Sequence, residues 1–407
     1  MTFSPSQDRA LRAVAAWHRD PHAQQVFYLA GHAGTGKTHL ARHFAENLNG
    51  QVCFCAFTGK AALVMRGKGC IGASTIHSLI YRPTDEDGTT RWVLDTESPA
   101  ANAELIIVDE CSMVGPDLGR DLLSYGRKVL VLGDPAQLPP VDGAGFFTDR
   151  EPDWLLTEIH RQAAESPIIV LANRARQGLR ISAGSYGSVR VVGQEASGSG
   201  TGTLASRMVA ADAVLCGLNR TRVARCAQIR RLRGMPTEVT RGDKLVCLRN
   251  NREKGLLNGS LWRVEACWAR SPMVCAAVRS LDGLPTPGLA ATTPPGPPSR
   301  DANRSWPDDD TQTVTVRVNP LFFEGREAEL SDRARRWSDE FTFGDALTVH
   351  KSQGSQWDSV VLFDESAAFR EDGARWLYTG ITRAARELTL VLPAGGAGLG
   401  GAGLGGR

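Results

Sequence analysis

The sequence predicts an α/β fold of two doubly wound parallel sheets, with a small all-β segment inserted in the second. Three observations carry this. Short apolar runs recur at 26–30, 52–57, 105–108, 129–132, 213–216, 359–363 and 388–392 with helix-forming stretches between them, the alternation that helix-covered parallel sheets require. A glycine-rich loop of phosphate-binding type follows the first run. From 243 to about 318 the pattern changes to short β-like pieces at 244–248, 261–264 and 313–316, with Asn258-Gly259 as a turn signal.

Gly31-His32-Ala33-Gly34-Thr35-Gly36-Lys37-Thr38 stands between the first apolar run and a helix-forming stretch, the placement a phosphate cradle needs. The glycines allow successive N–H groups to turn inward, and the helix beyond adds the positive end of its dipole. Lys37 suits the β and γ phosphates and Thr38 suits Mg²⁺, so ATP and Mg²⁺ are the expected cofactors. The run Glu104-Leu105-Ile106-Ile107-Val108-Asp109-Glu110 ends in two carboxylates. Asp109 fits a hold on Mg²⁺ through water, and Glu110 fits the orientation or deprotonation of an attacking water; a solvated acidic loop would carry the same pair. The run at 129–132 leads to Gly133-Asp134-Pro135-Ala136-Gln137-Leu138-Pro139-Pro140, where proline stiffens a turn bearing Gln137, an amide able to sense a γ-phosphate.

At 407 residues and 42% hydrophobic content, the chain has room for two or three ordinary domains. No stretch approaches the roughly 20 apolar residues that span a bilayer, and the first residues lack a basic and apolar leader, so no membrane and a cytoplasmic location are expected. Nine cysteines without a C-x-x-C pair suggest neither zinc nor a disulfide framework. The net charge of +3 decides nothing about nucleic acid. Locally, 220–254 holds eleven Lys/Arg against three Asp/Glu, which suits a phosphate backbone and equally a solvated basic face. Three stretches are expected to lack fixed structure: Ser/Gly-rich 182–202, proline-rich 283–310 and the Gly-rich tail 394–407.

With Thr58-Gly59-Lys60, Ser74-Thr75-Ile76-His77-Ser78, Leu156-Thr157-Glu158-Ile159-His160-Arg161-Gln162, Leu347-Thr348-Val349-His350-Lys351-Ser352-Gln353-Gly354 and Tyr378-Thr379-Gly380-Ile381-Thr382-Arg383-Ala384, the series of motifs is complete. The chain resembles superfamily 1 helicases of the RecD/Dda-like branch over roughly residues 5 to 392. The resemblance implies two tandem RecA-like P-loop NTPase domains with an inserted β-hairpin and an inserted small SH3-like barrel. The implied boundaries are 1–154 for the first domain, with the hairpin at about 78–100; 155–240 and 341–393 for the second; and 241–340 for the barrel.

It further implies that Gln7 reads adenine, that Gly34, Thr35, Gly36, Lys37 and Thr38 hold the phosphates, and that Thr38 and Asp109 serve Mg²⁺. Glu110 activates water and Gln137 senses the γ-phosphate, while Arg161 and Arg383 reach that phosphate from the second domain. Thr58, Lys60, Thr75, His77, Thr348, His350 and Lys351 match positions along a single-strand groove, and Tyr81 or Trp92 is the candidate wedge, with a packed hairpin aromatic as the other reading. The implied activity is ATP-dependent DNA unwinding with 5′ to 3′ translocation by a monomer. The implied partners are single-stranded DNA and single-strand/duplex junctions, and a replication or recombination protein. A translocase without unwinding, an RNA helicase and a P-loop small-molecule kinase are the alternatives. The sequence departs from the family's pattern at the acidic hairpin turn Asp85-Glu86-Asp87-Gly88, at proline-rich 283–310 and at Gln356-Trp357-Asp358.

Overall fold

The computed structural model describes residues 3–86, 89–139, 145–158, 166–193, 203–251, 254–281 and 313–393. The chain divides into two compact units, one formed by Met1–Gly217 with Thr348–Arg407 and the other by Leu218–Leu347.

The first part of the larger unit contains β1 (Val26–Gly31), β2 (Val52–Ala56), β3 (Ser74–Thr75), β4 (Tyr81–Glu86), β5 (Thr89–Leu94), β6 (Leu105–Asp109), β7 (Val129–Gly133) and β8 (Trp154–Leu156). Six of these form one sheet in the order β3-β2-β6-β7-β1-β8, with every pairing parallel. β6 and β7 read as unbroken apolar runs because both faces are covered, and their side chains divide by alternation. Ile106, Val108, Val129 and Val131 enter one core with Tyr28, Cys53, Cys55 and Ile76. Leu105, Ile107, Leu130 and Leu132 enter the opposite core. That second core is roofed by Ala10, Val14 and Trp17 of helix Pro5–Arg19 and by Leu40 and Ala41 of helix Lys37–Glu46. β4 and β5 pair with each other as an antiparallel ribbon.

The chain continues through β9 (Gly184–Tyr186), β10 (Val189–Gly193) and β11 (Ala213–Cys216). The smaller unit then supplies β12 (Lys244–Cys247), β13 (Leu261–Arg270), β14 (Met273–Ser280), β15 (Thr313–Val318) and β16 (Phe341–Phe343). β17 (Ala346–Thr348) leads back to β18 (Trp357–Phe363) and β19 (Ala384–Leu392). Within the larger unit a second sheet runs β11-β18-β19-β10-β9, parallel except for the β9 edge.

β9 and β10 correct the sequence reading of 182–202. Gly184–Tyr186 and Val189–Gly193 are strands, because Val189 and Val191 bury their side chains while β10 takes a parallel place beside Leu388–Leu392. The remainder of that stretch, together with 283–310 and 394–407, lies outside the described residues.

The smaller unit is an antiparallel sheet in the order β15-β14-β13-β12-β16, bulged between Val264 and Ala266. β15 alternates buried Val314, Val316 and Val318 with exposed partners, as a sheet covered on one face requires. Trp262 is fully buried and donates its indole N–H to Ser260 Oγ at 2.7 Å. Among the described residues, no helix is long and apolar enough to cross a membrane.

Candidate nucleotide and nucleic-acid sites

β1 delivers the chain to the loop at 31–38, next to the point where the strand order reverses, which is where α/β sheets place ligands. Gly34 and Gly36 adopt φ of 81° and 80°, a region costly for any residue with a Cβ. Thr35 is buried and its Oγ1 donates to the His32 carbonyl at 2.8 Å. Lys37 begins the helix and its Nζ donates to the Gly31 and His32 carbonyls at 2.5 and 3.2 Å. Gln7 lies against the same loop. Its Oε1 accepts from Ser4 N–H at 3.0 Å in a capping box, and its Nε2 donates to the Thr35 carbonyl at 3.1 Å.

Thr38 Oγ1 donates to Asp109 Oδ2 at 2.7 Å, so the two candidate Mg²⁺ residues meet directly. An oxygen-only donor set of one hydroxyl and one carboxylate fits a hard cation that keeps waters and phosphate oxygens as its other ligands. No cluster of three or more His, Cys, Asp or Glu arranged for a metal occurs among the described residues. Glu110, half-buried, holds φ at 53°, a strained value for a residue with a side chain. Burial pushes its carboxyl above the usual range and Asp109's charge adds to this, while the Arg383 guanidinium and Lys37 oppose it. A raised carboxyl suits proton transfer from water.

The turn after β7 is held mostly by residues of the second sheet's segment. Asp134 is buried; its Oδ2 accepts from Tyr378 Oη at 2.6 Å, and His32 Nδ1 lies 3.4 Å from its Oδ1. Burial opposes the charge on Asp134, but the His32 contact, the Lys37 charge and the Tyr378 hydroxyl outweigh it and hold the carboxyl below its ordinary range. Leu138 N–H donates to Thr379 Oγ1 at 3.0 Å, and the Leu138 carbonyl accepts from Gln353 Nε2 at 3.0 Å. Gln137 is buried, with an Oε1 that has no hydrogen-bond partner among the described residues. Arg383 is buried too, its Nε on the Thr379 carbonyl at 3.0 Å and its Nη1 on the Ser355 carbonyl at 3.1 Å. Arg161 lies outside the described residues.

Among the candidate groove residues, Thr58, Thr75 and Thr348 are all helix N-caps, accepting from Ala61, Ser78 and Lys351 N–H at 3.2, 3.0 and 3.4 Å. Each is followed two residues later by a basic or imidazole side chain, Lys60, His77 and His350, so one local device occurs three times. Lys60 is buried, its Nζ 4.5 Å from the Trp357 ring centroid. The turn 58–60 therefore lies against 354–357, where a Cβ on Gly354 would stand 3.1 Å from Thr58 Oγ1. His77 packs its ring on Tyr81 at 4.5 Å and edge-on to Trp92 at 5.1 Å. Tyr81 also donates its hydroxyl to Asp121, while Trp92 is 45% exposed. His350 lies 5.5 Å from the Phe369 ring, and burial pushes its imidazole below the ordinary range, against Asp372. Lys351 follows it in the same short helix.

Part of the basic run 220–254 is engaged inside the smaller unit, while Arg220, Arg231 and Arg241 are exposed. Arg222 and Arg230 are buried, and Arg230 pairs with Asp243. Arg233, Arg249 and Lys254 pair with Asp345, Glu340 and Asp339 at 2.5, 3.1 and 2.5 Å. Buried or paired with acids, these five do not form a free phosphate-binding stripe.

Two families match: the AAA domain over residues 2–192 and the UvrD-like helicase C-terminal domain over residues 343–391. The ATP-dependent RecD2 DNA helicase of Deinococcus radiodurans is 29% identical over 371 residues, covering 88% of this chain and 46% of that protein. The ATP-dependent DNA helicase PIF1 of Rattus norvegicus is 28% identical over 177 residues, 36% of this chain and 27% of that protein. The chain thus spans less than half the length of these curated relatives. Among solved structures, Bacteroides Pif1 helicase in complex with ADP-AlF3 and ssDNA aligns at a TM-score of 0.54 and 18% identity, covering 98% of this chain and 94% of that one. That likeness is one of fold, a mixed α/β architecture on parallel sheets. The two matched families in tandem and the RecD2 relative make the chain similar to RecD-like helicases of superfamily 1, and the Pif1 structures share its fold.

Proposed function

We propose that the chain is an ATP-dependent DNA helicase motor that translocates along single-stranded DNA from 5′ to 3′ and separates strands at single-strand/duplex junctions. The observation that carries this is the meeting of two sheets at one nucleotide site. The loop at 31–38, Thr38, Asp109 and Glu110 come from the first sheet, and Arg383, whose charge acts on Glu110, comes from the second. In this reading the two sheets are tandem RecA-like domains, the β4–β5 ribbon is the hairpin and the smaller unit is the SH3-like barrel.

Bound Mg²⁺ would neutralise phosphate charge; Thr38 and Asp109 would hold it. Glu110 takes the proton of the attacking water. Lys37 and Arg383 stabilise charge spreading over the transferred phosphoryl group, and Gln137 can accept a hydrogen bond from the attacking water through Oε1 while its amide N–H donates to the γ-phosphate. Donors from two sheets act together only when they are drawn together, so turnover drives relative motion of the segments bearing the threonine caps, and with them Lys60, His77, His350 and Lys351 on the strand. Lys351 supplies charge to the backbone, whereas His350, held neutral, supplies a hydrogen bond. The chain works as a monomer in replication, repair or recombination.

Strand displacement on duplexes bearing a 5′ or a 3′ single-stranded tail, with ATP and Mg²⁺, tests this. Release from the 5′-tailed duplex alone is expected, with none by Lys37→Ala. Hydrolysis stimulated by single-stranded DNA without release from either duplex would instead identify a translocase that does not unwind.

A further inference from the structure

Tyr378 connects three segments through one oxygen. Its hydroxyl accepts the Ala33 N–H of the phosphate loop at 2.9 Å and donates to Asp134 Oδ2 at 2.6 Å, on the turn bearing Gln137. The ring itself belongs to helix Gly373–Ile381, at whose end Arg383 lies. A buried carboxylate is costly unless donors surround it. Asp134 has the Tyr378 hydroxyl, Ala136 N–H at 3.0 Å and His32 at 3.4 Å. The next residue, Thr379, accepts Leu138 N–H through its hydroxyl and braces Arg383 Nε through its carbonyl.

We propose that Tyr378 is a positioning residue for ATP hydrolysis: its hydroxyl fixes helix Gly373–Ile381 against both the phosphate loop and the Asp134 turn, and so sets where Arg383 and Gln137 stand relative to the γ-phosphate. This rests on the ATPase reading above. The hydroxyl touches no reacting atom; its effect is transmitted through Thr379 to Arg383 and through Asp134 to Gln137. A small displacement of such groups lowers turnover far more than it lowers ground-state binding.

The 407-residue chain carrying Tyr378→Phe, assayed for ATP turnover with saturating oligo-dT, is expected to lose about tenfold in kcat while KM for ATP stays within about twofold. Asp134→Asn, which keeps an acceptor for the hydroxyl but removes the charge, should give a loss of similar size. The double variant should be no worse than either single one, because the two residues act as a unit. An unchanged kcat for Tyr378→Phe, a loss confined to melting temperature, a loss confined to KM, or additive losses in the double variant would each overturn the proposal. Wild-type protein that hydrolyses ATP alongside a fully active Tyr378→Phe sinks the positioning role alone; wild-type protein with no hydrolysis sinks the ATPase reading and this inference together.

Discussion

Asp109→Asn is expected to lower ATP turnover on the order of 10³-fold while leaving nucleotide binding measurable. The substitution conserves shape and keeps an oxygen facing Thr38 Oγ1, whose distance to the carboxylate is 2.7 Å. What it removes is the negative charge a hard divalent cation needs most, since an amide oxygen is a poorer ligand for Mg²⁺ than a carboxylate. The same loss relieves Glu110 of a like charge that helps to raise its pKa, so the neighbouring base is weakened as well. Phosphate release measured with oligo-dT, together with titration of a fluorescent ATP analogue, separates the two effects. Turnover within tenfold of wild type would remove Asp109 from the metal site.

Asp243→Ala destabilises the smaller unit by about 3–5 kcal/mol, the cost of leaving a buried charge without its partner. Arg230 and Asp243 are 3% and 1% exposed. The Arg230 guanidinium also donates to the Glu238 carbonyl at 2.8 Å and lies 3.8 Å from the Phe343 ring centroid. Without Asp243, that charge keeps contacts with carbonyls and a ring face and the more distant charges of Asp345 and Glu238, and Thr240 N–H loses its carboxylate acceptor at 2.7 Å. For a unit of this size the loss corresponds to a fall of more than about 10 °C in melting temperature. Hydrogen exchange should quicken in β12, which begins one residue after Asp243, and in its partner β16, whose Phe343 ring lies against Arg230. A loss below about 1 kcal/mol would show that Arg230 is re-solvated in the variant.

The strands of the first sheet were legible because a parallel strand covered on both faces must be apolar throughout, and 105–108 and 129–132 are. β10 was not legible. Val189-Arg190-Val191-Val192 sits among serines and glycines, and its status as a strand depends on a partner at 388–392, nearly 200 residues away. The basic run was legible only in part for the same reason: charge can be counted along a chain, but Lys254 finds Asp339, 85 residues distant, and Arg233 finds Asp345, 112 residues distant. The phosphate loop and the carboxylate pair are local signals, each written within a few residues. Tyr378 stood inside a quoted motif, yet its bond to Asp134 spans 244 residues and no spacing rule announces it.

Of the nine cysteines eight are buried, with Cys267 half-buried. Burial raises the thiol pKa of Cys53, Cys55, Cys70, Cys111, Cys226, Cys247 and Cys267, and it is the thiolate that reacts with electrophiles. The native chain is therefore a quiet chemical background. A cysteine introduced at Ile71, which is 89% exposed, would take a maleimide dye ahead of all nine natural thiols, giving a singly labelled protein without first stripping any of them from the core.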